Sequence, residues 1–365
     1  MNRAGFLRVL AAGCLVGPLA QPAPADDGQR LEEIRTLLRE QALVVPDDSR
    51  LSALNSTDLQ MGLQSIDPWA EWRPGRTEGA LYAGVGADLY SAAERHWLMP
   101  YAGGPLMRAG VSDRVELHAV DGVPVAGRTT ADVARMLIGD RGDTRQLDIC
   151  SPDCGVPRTL VLEIEVLRPR SVEHLWSGGR EIIRIRRFVG WETRSFFQSL
   201  VQSSVHRGPL LLDLRDCQGG DLFEAMDTAA LFLPEGAELA RIQGRHGHSR
   251  VYRAPGGDKI DADVMLLVSR HTASAGEVFA GILQAHGVAR LVGERTRGKC
   301  VSQTERVLSD GSVLRFTNLS IDLPGGVSCH QVGLTPDLAV ESSLVDSLDA
   351  LLASDRLGRA PASGN

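Results

Sequence analysis

The chain has 365 residues, 43% of them apolar and 23% charged, with a formal charge of -7. That composition supports two or three folded cores. It argues against general nucleic-acid binding, which needs a basic face to displace counterions from phosphates. Arg3 and Arg8, an apolar run from Val9 to Leu19 and then Ala23-Pro24-Ala25 read as a cleaved secretory signal over residues 1–25. The mature chain is therefore expected to be secreted or periplasmic, without a transmembrane segment. Cys14 follows Leu10-Ala11-Ala12-Gly13 and loosely resembles a lipoprotein acceptor site, but its spacing is off by one and the apolar run continues past it, so lipid anchoring ranks second.

Residues 26–75 are expected to form a helical lead-in, with Leu31, Ile34, Leu37, Leu38 and Ala42 on one stripe and Pro46 as the stop. From 80 to 168 the pattern changes to short strands, glycine turns and one helix. Val115 to Val120 enters an Asp121-Gly122 turn, Thr130 to Ile138 reads as a helix with a threonine cap, and 145–149 with 160–167 reads as a hairpin. Cys150 and Cys154 bracket Ser151-Pro152-Asp153 and are candidates for a disulfide at the hairpin tip. Once the leader is removed five cysteines remain, so at least one is unpaired or pairs between chains. No zinc ligand set accompanies them, and no cofactor is expected. Residues 176–345 alternate strands and helices as an α/β core, and 346–365 read as a tail.

Only two of the 39 Lys and Arg residues are lysines, Lys259 and Lys299. A guanidinium stays protonated near neutral pH, whereas a buried ammonium can lose its proton, so Lys299 is a candidate general base. Ser274 stands where an apolar strand gives way to a helix carrying Val278, Phe279, Ile282 and Leu283. There its hydroxyl would be exposed, with the Ala275 amide at the helix start. The same Ser274-x-x-Glu277 spacing is also a capping box, which needs no catalysis. In an extended strand residues 299, 301 and 303 share a face, which would set the Gln303 amide beside Lys299. Gly219-Gly220 follows the Leu210 to Leu214 strand and allows close backbone approach. A Ser-His-Asp site is the rival arrangement, with His271 and His286 flanking the helix.

Three blocks, LLLDLRDCQGGDL (210–222), VSRHTASAGEVFAGILQAHG (268–287) and VGERTRGKCVSQT (292–304), with GLTPD (333–337), resemble the catalytic core of the C-terminal processing peptidases, or tail-specific proteases. The stretches AGGPLMRAGV (102–111), VELHAVDGVPVAG (115–127) and LIGDRGD (137–143) look like the PDZ domains found inside such enzymes. The resemblance covers residues 66 to 345 and implies a crotonase-like or Clp-like α/β core preceded by a β-rich PDZ-like domain. It also implies a serine endopeptidase with Ser274 as nucleophile, Lys299 as base, Gln303 as its orienting group and the amides of Gly220 and Ala275 as oxyanion hole. Protein or peptide tails would be substrates, held by backbone amides near Gly84, Val85 and Gly86, with room for an activating or adaptor protein. Cys217 and Cys300 depart from the family pattern, and a bond involving either is expected to strain or gate the site. Two other classes stay open: a non-catalytic peptide-binding scaffold on the same fold, and an acyl-CoA enzyme on the same core.

Overall fold

Strands Leu210–Asp213 and Val264–Val268 consist almost wholly of apolar residues, and the reason is that both of their faces are covered. In the computed structural model, which describes residues 27–73, 83–92, 95–151, 156–167, 170–177, 180–203, 209–257 and 259–354, they lie at the centre of a six-stranded sheet. Its order is Val172–Ser177, Arg180–Ile185, Leu210–Asp213, Val264–Val268, Ala289–Gly293 and Leu338–Ala339. The first two strands form an antiparallel hairpin, and every later pair is parallel. Alternation sorts the side chains. Leu210, Leu212, Leu266 and Val268 face the main core with helices Leu222–Ala230 and Ala275–Ala285. Leu211 and Leu267 point to the other face, where Leu348, Leu351 and Leu352 meet them. Those leucines belong to a helix, Leu348–Ala353, inside the stretch read as a tail.

The preceding β module follows the turn chemistry of its sequence. Strands Ala87–Ala92, Arg95–Pro100, Val115–Val120, Thr144–Cys150 and Arg158–Glu163 pair antiparallel in that order. Asp121 and Gly122 both have positive φ, 50° and 75°, and join Val120 to Val123 as the two-residue turn that fits strand twist. Helix Thr130–Leu137 begins at a reciprocal Thr129–Asp132 capping box. Val85, Leu98, Leu106, Val133 and Leu147 are among the module's buried residues.

By its internal packing the chain divides into two compact units, and the module and the α/β core belong to the same one. The smaller unit combines the described residues up to Glu40 and within Val45–Arg76 with Glu305–Phe316. Its first helix, Asp27–Gln41, buries Ile34 and Leu38, the centre of the expected stripe. Strand Glu71–Arg73 pairs with Arg315 to Val313. The leader and Cys14 lie outside the described residues, and no helix among the described residues is long and apolar enough to cross a membrane.

Candidate active site

Ser274 has a backbone that L-residues rarely adopt, at φ 55° and ψ -125°. A helix cap normally sits in the β region. This is instead the conformation of the first central residue of a type II′ turn, one that glycine usually fills, and holding an L-residue there costs on the order of 1–3 kcal/mol. The turn is sharp because strand Val264–Val268 must reverse within a few residues into helix Ala275–Ala285. Local hydrogen bonds hold it: Thr272 Oγ1 donates to the Leu214 carbonyl at 2.8 Å, Ser269 Oγ to the Arg215 carbonyl at 2.5 Å, and the Ala273 amide to the Cys217 carbonyl at 2.9 Å. All three acceptors lie on the loop that leads to Gly219-Gly220. Ser274 remains partly exposed, while Ala275 is buried as the first helical residue, whose N–H has no acceptor within its own helix.

The two glycines are required by contact. A Cβ on Gly219 would come within 2.7 Å of Ser274 Cβ and 2.9 Å of the Ala275 nitrogen, and one on Gly220 would lie 2.2 Å from the Phe188 carbonyl oxygen. Both have positive φ, 108° and 127°. The Phe188 amide donates to the Gly219 carbonyl at 2.9 Å and the Phe188 carbonyl accepts from Asp221 at 2.8 Å. The glycine turn thus lies directly against Ser274 and the start of its helix.

Glu277 ties the serine to the lysine segment. It is fully buried, and its Oε2 accepts from the amides of Ser274 at 3.1 Å and Lys299 at 2.7 Å. Its Oε1 accepts from the Gly298 amide at 2.7 Å and from Thr296 Oγ1 at 2.5 Å. Burial pushes its carboxyl above the usual range, against the pull of these hydrogen bonds. The Arg297 amide adds a direct link to the Thr272 carbonyl at 3.0 Å. From the far side Leu334, in the closing motif, donates to Thr296 Oγ1 at 2.7 Å, and a Cβ on Gly333 would lie 2.2 Å from the Thr296 carbonyl oxygen.

Lys299 and Gln303 are both partly exposed. The expected alternation through residues 299, 301 and 303 does not hold at its first member: the strand starts at Val301, and the Val301 amide turns back to the Lys299 carbonyl at 3.0 Å. Cys300, at the centre of that turn, is buried and bonded to Cys329. Cys150 is also disulfide-bonded, while its expected partner Cys154 lies outside the described residues. Cys217 is a free, buried thiol, pushed by burial up to about 12 and so inert near neutral pH. The Cys300–Cys329 bridge spans 29 residues, so replacing both cysteines with serine should lower stability by roughly 3–4 kcal/mol through loop entropy alone, read from denaturant midpoints.

The histidine rival finds no support in the geometry. His286 Nε2 bonds the Glu238 carbonyl at 2.7 Å, and among the described residues neither ring nitrogen of His271 has a hydrogen-bond partner. Burial, and then the charge of Arg114, push the His271 imidazole down to about 3, so it is neutral near neutral pH. At the module, Val85 is buried, Gly84 bridges Ile138, and the Val85 and Gly86 carbonyls accept from the amides of Leu106 and Tyr101. The sequence had pointed to Glu277 only as a capping partner. Its role in collecting the lysine segment required knowledge of what packs beside it.

Residues 182–340 match the family model described as peptidase family S41. This stretch is similar to the peptidase family S41 core. The match begins within strand Arg180–Ile185 and ends just after Leu338–Ala339, so it takes in the parallel part of the sheet with Ser274, Lys299 and both glycines. Two curated proteins named "Probable CtpA-like serine protease", from Staphylococcus saprophyticus and Staphylococcus aureus, are each 26% identical to this chain over 276 and 275 residues. Each alignment takes in 74% of this chain and 55% of the relative, so the chain spans about half the length of the curated relatives it matches. A solved photosystem II D1 C-terminal processing protease shares the fold at a TM-score of 0.63 and 24% identity, over 90% of this chain and 92% of that one. The likeness in fold thus reaches beyond the residues that match the family model.

Proposed function

We propose that the protein is a serine endopeptidase acting on protein substrates near their C-terminal tails, outside the cytoplasm. Ser274 attacks the peptide carbonyl as Lys299, neutral at that moment, takes its hydroxyl proton. Gln303 orients the lysine amine, and the Gly220 and Ala275 amides receive the developing oxyanion. The lysine then hands its proton to the leaving amine and activates the water that releases the acyl group. The observation that carries this reading is the Glu277 carboxylate, one oxygen of which binds the amides of both Ser274 and Lys299. The loops near Gly84 and Gly86 would hold the tail of the substrate, in the manner of a PDZ domain.

The test is cleavage of an unfolded protein, followed by mass spectrometry, together with labelling by a fluorophosphonate. Peptide products and a single adduct on Ser274 are expected. Because a lysine base works only when neutral, kcat/KM should rise as pH passes the lysine pKa and then level off. Peptides that bind and stay intact, with no adduct, would mark a binding protein instead, and a flat pH profile would remove the neutral lysine.

A further inference from the structure

The glycine turn that supplies the Gly220 amide is made of two residues of the type least able to hold a conformation by itself. Something outside must fix it, and the β module reaches both of its flanks with one strand. Asp88 and Tyr90 sit two apart on strand Ala87–Ala92, so they share a face. On the upstream flank, the Tyr90 hydroxyl donates to Asp216 Oδ1 at 2.7 Å, and Arg114 Nη1, one residue ahead of the module strand Val115–Val120, donates to the same oxygen at 2.9 Å. Asp216 stands four residues before Gly220. Burial opposes its ionisation most strongly, but the charges of Arg114 and Arg215 together outweigh it and hold the carboxyl below the usual range.

On the other flank, Asp88 pairs with Arg186 at 2.9 Å and Arg187 at 3.0 Å. The next residue is Phe188, whose amide and carbonyl grip Gly219 and Asp221. The same module patch also covers the nucleophile loop, with the His271 ring centroid 4.9 Å from Tyr90 and 6.0 Å from Trp97. A domain contact made only for attachment has no reason to converge on the residues that flank one turn.

We propose that strand Ala87–Ala92 of the β module acts as a clamp on the oxyanion turn, with Tyr90 and Asp88 as positioning residues working through Asp216 and through Arg186 and Arg187. This rests on the peptidase reading for its catalytic consequence but not for its structural one. The clamp makes the amide of Gly220 depend on the module being docked, so the turn is assembled by two parts of the chain far apart in sequence.

The experiment compares wild type, Tyr90→Phe, Asp88→Asn and the double variant by hydrogen exchange and by steady-state kinetics. Exchange in the peptide covering Arg215 to Asp221 should quicken about tenfold in either single variant, the scale of one lost hydrogen bond to a charged group, while strand Leu210–Asp213 stays as slow as before. With a cleavable substrate, kcat should fall about tenfold while KM stays within about twofold, since the turn acts on the transition state and not on substrate capture. Unchanged exchange in the turn in both variants overturns the clamp, as does a loss confined to KM. If wild type cleaves nothing, the peptidase reading fails, and the exchange measurement still decides the clamp.

Discussion

Ser274→Ala and Lys299→Ala are each expected to lower kcat by roughly four to six orders of magnitude, and the double variant to be no slower than the worse of the two. The proposed chemistry passes one proton along one path, from the Ser274 hydroxyl to the Lys299 amine. Without the serine the lysine has nothing to deprotonate, and without the lysine the hydroxyl is too weak an acid to attack. What remains in each case is binding and the oxyanion amides of Gly220 and Ala275, which neither substitution touches. Lys299→Arg should be as slow as Lys299→Ala, because a guanidinium keeps its proton at any working pH. Single-turnover kinetics on purified variants measure this. Multiplying losses in the double variant would show the two residues acting separately, and retained turnover in Lys299→Ala would place the base elsewhere.

Glu277→Gln is expected to lose about a hundredfold in kcat with KM nearly unchanged, and roughly 2–6 kcal/mol of stability. The carboxylate serves four donors, two at each oxygen: the Ser274 and Lys299 amides at Oε2, the Gly298 amide and the Thr296 hydroxyl at Oε1. A glutamine keeps one oxygen and turns an NH2 toward the other pair, so in either orientation two buried donors lose their acceptor, at about 1–3 kcal/mol each. If the NH2 faces Ser274 and Lys299, the link between them is cut. If it faces Thr296 and Gly298, the lysine segment loses its footing one residue earlier. A residue serving only as a capping-box partner would cost about 1 kcal/mol and leave kcat alone, so urea midpoints and burst kinetics separate the two roles by magnitude. Glu277→Asp keeps the charge but falls short by one methylene, and its kcat should lie between those of Glu277→Gln and wild type.

Much of this architecture is legible in the chain because it is encoded over short distances. The apolar runs at Leu210 to Leu214 and Met265 to Val268 announce strands covered on both faces, and the sheet places them side by side at its centre. Asp121-Gly122 announces its turn and Thr129 with Asp132 its cap, since each depends only on near neighbours. The serine at the strand-to-helix junction and the paired glycines can be read in the same way, as can the scarcity of lysine that singles out Lys299. The alternation assumed through 299, 301 and 303 fails at its first member, where the chain turns at Cys300, a residue bonded to a partner 29 residues away that a local pattern cannot register. Glu277 looks like an ordinary capping partner until Thr296, Gly298 and Lys299 are packed beside it, and Asp216 like a loop acid until Tyr90 and Arg114 reach it. The sequence by itself determined the strands, the turns and the candidate nucleophile and base, because periodicity and turn chemistry act between residues a few positions apart. Only the tertiary structure decided which carboxylates hold the loops together, because a buried charge takes its donors from whatever segments the packing brings within about 3 Å, however distant they are along the chain.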